Sequence, residues 1–357
     1  MKKTEIVFVG GGHTHVLSLL RLANRWPIGT TVTLVSDSSK VAYSGMLPGY
    51  ISGQFRREEC FIDLPTLCAN TGVRWVEAAA VSISAEQGQL LLAGGDEIRF
   101  DLLSINVGGV PRQTFNTPAA TTVKPAQDFL HWLNRLTANK PQTIAIIGAG
   151  AGGVELALAL NSYFGNSNNI ALIGNSLLPS ANNGVRHKVR KVLQVRGITL
   201  FESTAISYKD ESIILADGRQ TTAQYLVYAT PVRALAWLAN SDLALNDNGF
   251  VQVNACLQSI SHPQVFAAGD CAAISAPKSG VTAIRQSPTL SDNILAAING
   301  MPLSSWHFQQ RQLYILNTAD GRAIAGWGSW YADGTWLWHW KKWLDKRFMN
   351  LFLPPSS

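Results

Sequence analysis

An α/β fold is what this sequence predicts, and three observations carry the prediction. Between Ile144 and Ala157 the chain reads I-A-I-I-G-A-G-A-G-G-V-E-L-A, a buried strand entering a glycine turn and a helix. Ile6 to Val16, I-V-F-V-G-G-G-H-T-H-V, gives nearly the same arrangement near the N-terminus. Strand-like and helix-like runs then alternate along most of the chain, which closes in a tryptophan-rich segment. A diphosphate must approach the backbone of such a turn closely, so its first glycines carry no Cβ, and the N–H groups of the following helix meet the negative charge. The expectation is therefore two Rossmann-like three-layer dinucleotide-binding domains followed by a C-terminal aromatic-rich segment.

Taken in order, residues 4–10 read as a strand, 13–25 as a helix and 31–36 as a second strand. Gly10 and Gly12 fit the turn, whereas His15 stands where a third glycine allows close helix–strand packing. The second strand of such a unit usually ends in an acid that holds a ribose hydroxyl; here Ser36 takes that place and Asp37 follows. Tyr43 to Gln54, Y-S-G-M-L-P-G-Y-I-S-G-Q, is too rich in glycine and proline for a regular element and reads as a loop that wraps a flat ligand. Strands follow at 73–76, 81–84, 89–92 and 98–107. A connector with Pro118 and Pro125 leads to a helix at about 126–138.

The second unit comprises a strand at 143–148, a helix at 152–164 and a strand at 170–173. Gly148, Gly150 and Gly153 complete the G-x-G-x-x-G pattern. Gly174-Asn175 follows the 170–173 strand without an acid, which leaves NADH and NADPH both open. Arg186, Lys188, Arg190 and Lys191 read as a solvated helix face. Strands at 198–201, 204–208, 212–215 and 225–229 complete the unit. Pro263 to Ala272, P-Q-V-F-A-A-G-D-C-A, is a strand ending in Gly269-Asp270, where the carboxylate either caps a helix or takes a ligand hydroxyl.

Composition sets the bounds. A chain of 357 residues allows two or three domains, and 46% apolar with 15% charged residues describes a globular protein. The net charge of +6 favours acidic partners such as nucleotides or anionic headgroups, but no basic stripe interleaved with aromatics reads as a nucleic-acid module. The run after Met1-Lys2-Lys3 is too short for a signal-peptide core, and no stretch is apolar for long enough to span a bilayer, so a cytoplasmic location is expected. Cys60, Cys68, Cys256 and Cys271 lie far apart with no C-x-x-C, which argues against a metal site and a redox-active disulfide.

With these residues in view, the chain resembles the two-dinucleotide flavoproteins of the pyridine nucleotide–disulfide oxidoreductase superfamily, a glutathione-reductase-like architecture. Within it the chain is similar to the type II NADH:quinone oxidoreductases. V-G-G-G-H-T-H-V, A-Y-S-G-M-L-P-G, V-K-P at 123–125, G-V-T-A-I-R-Q at 280–286 and R-F-M at 347–349 look like the flavoprotein associated with selenide, water dikinase. The likeness runs from residue 4 to about 350.

It implies a discontinuous FAD-binding domain over 1–115 and 250–325, an NAD(P)H-binding domain inserted at 116–249, and a tail at 326–357. It places Gly10, Gly12, His13, His15 and Ser36 at the FAD diphosphate and ribose, and Ala80 beside the adenine. The 43–48 loop, with Ser44, Gly45 and Pro48, borders the isoalloxazine, Asp270 binds the ribitol chain, and Gly108 and Gly269 also contact FAD. Ala283 to Gln286 would open a helix whose N-terminus favours the reduced flavin. Gly148, Gly150, Gly153, Glu155, Asn175, Thr230 and Pro231 hold the NADH or NADPH. Gly280, Val281 and Gln286 line the site of an acceptor, expected to be a quinone. The flavin itself carries the chemistry, with Glu155 and Lys124 as candidate participants. Rival readings are a flavoprotein that partners a selenophosphate synthetase and a low-turnover flavin redox sensor or docking subunit.

Six of the eleven tryptophans fall between Trp327 and Trp343. Written as a helix, the segment places Trp340, Trp343, Leu344, Phe348, Leu351 and Phe352 on one side, and Lys341, Lys342, Asp345 and Lys346 on the other. That pattern suits residues 336–353 lying on a membrane surface, and equally a helix packed on the body or on a second subunit.

Overall fold

The computed structural model describes residues 3–136, 143–165 and 169–353. β1 (Thr4–Val9) runs into α1 (His13–Leu22), followed by β2 (Thr30–Ser36), a short α2 (Leu47–Ile51), β3 (Arg74–Glu77) and β4 (Leu102–Ile105). The central stretch holds β5 (Ala120–Thr122), α3 (Ala126–Leu136), β6 (Thr143–Ile147), α4 (Ala151–Tyr163), β7 (Asn169–Gly174), α5 (Asn183–Val195), β8 (Thr199–Glu202) and β9 (Tyr225–Tyr228). The chain then returns through β10 (Val265–Ala267) and α6 (Gly280–Ile298). It finishes with β11 (Tyr314–Asn317), β12 (Ala323–Trp327), β13 (Trp330–Gly334) and α7 (Thr335–Met349).

Two parallel five-stranded sheets result, ordered β10-β4-β1-β2-β3 and β5-β9-β6-β7-β8. Strand β10 joins the first sheet only after the second is complete, so the second unit is an insertion in the first. Parallel strands are buried on both faces, and the near-continuous I-V-F-V of β1 and I-A-I-I of β6 supply that burial. The α/β class and the paired Rossmann-like units are thus as expected. Helices α1 and α6 pack along a seam of small residues, where Thr14 Oγ1 donates to Ala283 O at 2.8 Å and Ser18 Oγ lies 3.2 Å from Ser287 Oγ.

Several expectations need correction. The Tyr43–Gln54 loop contains α2: Pro48 tolerates the first helical turn, where no backbone donor is needed, and Gly49 lets Phe55 lie against the backbone. The predicted strand 98–107 is two strands. Glu97–Arg99 closes an antiparallel ribbon with Gln89–Leu92, while β4 joins the parallel sheet. Asp101, at the break, accepts from the Glu5 backbone N–H at 2.9 Å. Helix α6 begins at Gly280 rather than at Ala283, because Ser279 caps it by accepting from Thr282 N at 3.2 Å. The tail boundary at 325/326 falls inside β12, which pairs with β11 and β13 in one antiparallel sheet. The last two residues expected in the 126–138 helix lie outside the described residues.

On α7 the body selects which face is covered. Lys341 and Asp345 face the body and are buried, whereas Trp336, Trp340, Trp343 and Leu344 are exposed. Hydrophobic periodicity distinguishes two faces of a helix without saying which one the body covers. The covered face mixes Leu337, Trp338 and Met349 with Lys341 and Asp345, for which the body offers polar partners.

Candidate functional site

The central turn shows what each glycine is for. Gly148 turns with φ +120, and its N–H donates to Ile173 O at 2.7 Å. A Cβ at Gly153 would lie 1.8 Å from Gly148 O, so α4 approaches the strand end with no room for a methyl group. A Cβ at Gly150, by contrast, would meet nothing within 4 Å. Two glycines serve internal packing and the third leaves a bare backbone facing open space at the N-terminus of α4, as a diphosphate requires.

The N-terminal turn is built differently. Gly10 turns with φ +89, and Gly12 precedes α1 as its cap residue. His15 is wholly buried, with Nδ1 2.7 Å from Gly10 O and Nε2 2.8 Å from Ser104 Oγ. A carbonyl only accepts, so Nδ1 carries the proton and Nε2 accepts from the serine hydroxyl. Burial lowers the His15 pKa to about 3, which keeps the ring neutral. The imidazole therefore acts as a hydrogen-bonded spacer where a third glycine would give direct contact.

Asn106, which the sequence reading did not single out, organises this turn. Its side chain accepts from His15 N at 3.2 Å and donates to Ala268 O at 2.7 Å, while its carbonyl accepts from Gly12 N. Gly269 turns beside it and donates to Gln286 Oε1 at 2.6 Å. Gly10, Gly12, His15, Gly269, Ala283 and Gln286 are thereby brought together from three parts of the chain. The signal in the sequence was an asparagine closing a buried strand immediately before V-G-G.

Asp270 pairs with Lys124 Nζ at 2.6 Å. His13 opens α1 with its ring edge-on to Tyr43 at 5.6 Å and tilted to Phe348 at 6.2 Å. Burial, and then the Lys124 charge, lower the His13 pKa to about 4, and its Nε2 is buried without a protein partner. Gly108 turns with φ +72 onto open space. These features fit a flavin dinucleotide: a bare backbone, an ion pair of exchangeable partners and an orphaned ring nitrogen converge at one helix N-terminus.

The other expected residues make the following contacts. The Ser36 hydroxyl closes a local turn with Ser38. Ala80 starts a ribbon strand opposite Leu92. Pro48 lies in α2, and Ser44 faces the start of α6 at Gly280. Asn175 is held by Thr204, and Thr230 Oγ1 donates to Arg112 O while Pro231 O accepts from Arg112 N. Of the predicted acceptor residues Val281 is exposed, but Gln286 is fully buried and holds Gly269. On α5, Lys188 and Arg190 are ion-paired to Asp333 and Glu202 rather than free.

Glu155 lies on α4, one turn beyond Gly150. Its carboxylate accepts from Asn317 N at 2.7 Å and lies in a buried cluster with α7. There Lys341 Nζ donates to Asp345 Oδ2 and to Gly45 O, both at 3.0 Å, and Tyr43 Oη donates to Asp345 Oδ1 at 3.2 Å. Burial pulls the Lys341 pKa down, but the Asp345 and Glu155 carboxylates outweigh it and hold the ammonium charged. Burial pushes both carboxyl groups up. The meeting of Tyr43 with Lys341 and Asp345 escaped the sequence reading because it joins segments some 300 residues apart.

All four cysteines are free, and among the described residues no group of side chains could hold a metal ion. Burial pushes the Cys60 and Cys68 thiols up to about 12, which makes them unreactive. Among the described residues no helix is long and apolar enough to cross a membrane.

Comparison with known proteins agrees with the fold. Residues 4–287 match the family model described as pyridine nucleotide-disulphide oxidoreductase. The demethylphylloquinone reductase NdbB of Synechocystis is 26% identical over 91% of this chain and 87% of its own length. The alternative NAD(P)H-ubiquinone oxidoreductase C1 of Arabidopsis thaliana is 23% identical over 86% of this chain and 70% of its own. NDH2 of Plasmodium falciparum, solved with NADH, superposes with a TM-score of 0.80 at 15% identity, covering 98% of this chain and 97% of its own.

Proposed function

This chain belongs to the pyridine nucleotide-disulphide oxidoreductase family as an FAD-dependent NAD(P)H oxidoreductase without a redox-active disulfide, and we propose that a quinone takes its electrons. The observation that carries the reading is the pair of turns, one with its bare Gly150 backbone and one flanked by the His13, Lys124 and Asp270 group. Two relatives named as quinone reductases support the choice of acceptor.

When bound, FAD supplies a ring that accepts two electrons from a nicotinamide and releases them to a second partner. In this reading the sheet β10-β4-β1-β2-β3 with α1 and α6 holds FAD, and the sheet β5-β9-β6-β7-β8 with α4 holds the nucleotide. Gly10, Gly12 and the α1 N-terminus receive the FAD diphosphate, with Asp270 exchanging Lys124 for a ribitol hydroxyl. Gly148, Gly150 and the α4 N-terminus receive the second diphosphate. Hydride transfer needs alignment and proximity rather than a side-chain acid or base. The protein's part at that step is to hold two rings together and keep water out.

The exposed face of α7 adds a place of work. Trp336, Trp340, Trp343 and Leu344 point outward, with Lys342 and Arg347 alongside, and the Arg347 guanidinium lies 5.3 Å over the Trp343 ring. Tryptophan beside basic residues suits an anionic lipid interface, where an apolar quinone dissolves. The protein is expected to co-sediment with phosphatidylglycerol vesicles, and the triple alanine variant of the three tryptophans to remain in solution.

Anaerobic titration tests the core reading. NADH or NADPH should bleach the flavin bands of the purified holoprotein, and a soluble quinone should restore them. A flavin that neither nucleotide bleaches, or a reduced flavin that quinone leaves bleached, removes this function.

A further inference from the structure

The buried cluster between α7 and the 43–45 loop has a chemistry that hydride transfer does not use. Reducing a quinone with NAD(P)H consumes one proton: NAD(P)H + H⁺ + quinone give NAD(P)⁺ + quinol. Resting on the quinone reading above, we propose that Tyr43 donates this proton to the acceptor and that Asp345, held by Lys341, replaces it.

Geometry favours Tyr43 over the other groups nearby. Its phenol oxygen lies beside Gly45, where a Cβ would be only 2.9 Å away, on the loop preceding α2. Its ring is fixed by stacking on Phe348 at 4.4 Å and by the His13 edge at 5.6 Å. Glu155, the other buried acid, is turned to the Asn317 backbone of β11 and serves that contact instead. Lys341 is committed to Asp345 and to Gly45 O, so it positions the relay rather than feeding it.

The step balances in protons and electrons. As the acceptor gains two electrons and one proton from the reduced cofactor, the Tyr43 O–H bond breaks and an O–H bond forms on the second acceptor oxygen. Asp345 then takes up a proton from solvent and passes it across the 3.2 Å contact to the Tyr43 oxygen, returning to the carboxylate that pairs with Lys341. The groups facing Asp345 are Lys341 on α7, Tyr43 on the loop, Glu155 on α4 beyond the lysine, and Cys60 beside the Glu59–Lys346 pair. Burial pushes both the Asp345 and the Glu155 carboxyl groups up, with the Lys341 ammonium between them, which suits Asp345 to pass a proton on.

The test compares acceptors in the FAD-loaded enzyme. Ubiquinone-1 needs protons, whereas ferricyanide takes electrons alone. In Tyr43→Phe the ratio of ubiquinone-1 to ferricyanide turnover should fall about a hundredfold, the scale of a positioned general acid. Asp345→Asn should lower the same ratio and shift its pH profile, and Asp345→Glu should restore most of it. In the unaltered enzyme, D2O should slow ubiquinone-1 turnover and leave ferricyanide turnover unchanged. An unchanged ratio in Tyr43→Phe, or equal D2O effects on both acceptors, overturns the proposal. Failure of the unaltered enzyme to reduce ubiquinone-1 at all would instead strike the quinone reading.

Discussion

The two glycine turns begin with the same chemistry and diverge at their third position. At Gly153 the helix touches the Gly148 carbonyl, and even a methyl group is excluded. At His15 a whole imidazole fits, because Ser104 on β4 and the Gly10 carbonyl receive its two nitrogens. The first glycine of each turn sets the backbone, and the third position sets how far the helix stands from the sheet. That distance can be fixed by contact or by a hydrogen-bonded spacer, and the spacer needs partners on a second strand. Pattern matching reads His15 as damage to the motif, whereas the structure shows a complete alternative to it.

The sharpest way to break this comparison is His15→Ala. It leaves a cavity with an unpaired Ser104 hydroxyl and Gly10 carbonyl, and should cost about 3 to 4 kcal/mol in thermal or urea unfolding. Restoring the usual glycine at this position should not rescue it, since α1 stands too far back.

The same ring predicts a pH dependence. Its folded pKa of about 3 lies below the ordinary 6.5, so the unfolded chain binds the extra proton. The contribution of neutral His15 is complete above pH 6.5 and is lost as pH falls from there towards 3. Unfolding measured across that window should show a steeper acid loss for the unaltered protein than for His15→Gln.

Gly153→Ala probes the other turn. Pushing α4 off the strand end should cost about 2 kcal/mol. The loss should appear mainly as weaker NADH binding, by roughly thirtyfold at 1.4 kcal/mol per decade, with FAD retained. Loss of FAD from this variant would mean that the two turns do not bind separate nucleotides.

The smallest expected effect sharpens the second unit. Asn175→Asp places an acid at the end of β7, where a ribose hydroxyl is normally held. It should improve the NADH to NADPH preference by about tenfold, measured as a ratio of kcat/KM values. An unchanged ratio would show that the ribose is held elsewhere.

Much of this was legible from local chemistry. Runs such as I-V-F-V and I-A-I-I announce buried parallel strands, and a glycine must follow where the backbone turns through positive φ. The site residues that were not legible share one property: their partners are remote in sequence. Asn106 acts on Gly12, His15 and Ala268, and Tyr43 acts on Asp345, so neither has a local pattern to betray it. The α6 start was missed for a milder reason, since Ser279 is a good cap whose competitors differ from it by little energy.

By itself the sequence determined the alternation of strands and helices, the two turns and the presence of an amphipathic last helix, because each depends on backbone sterics and periodic burial among near neighbours. Only the tertiary structure decided that His15 is a spacer, that Asn106 is a junction and that α7 buries Lys341 and Asp345 beside Trp338 while exposing Trp336, Trp340 and Trp343. Those outcomes depend on which polar partners the rest of the chain brings to a buried place, and a buried charge or imidazole is tolerated only where such partners are already waiting.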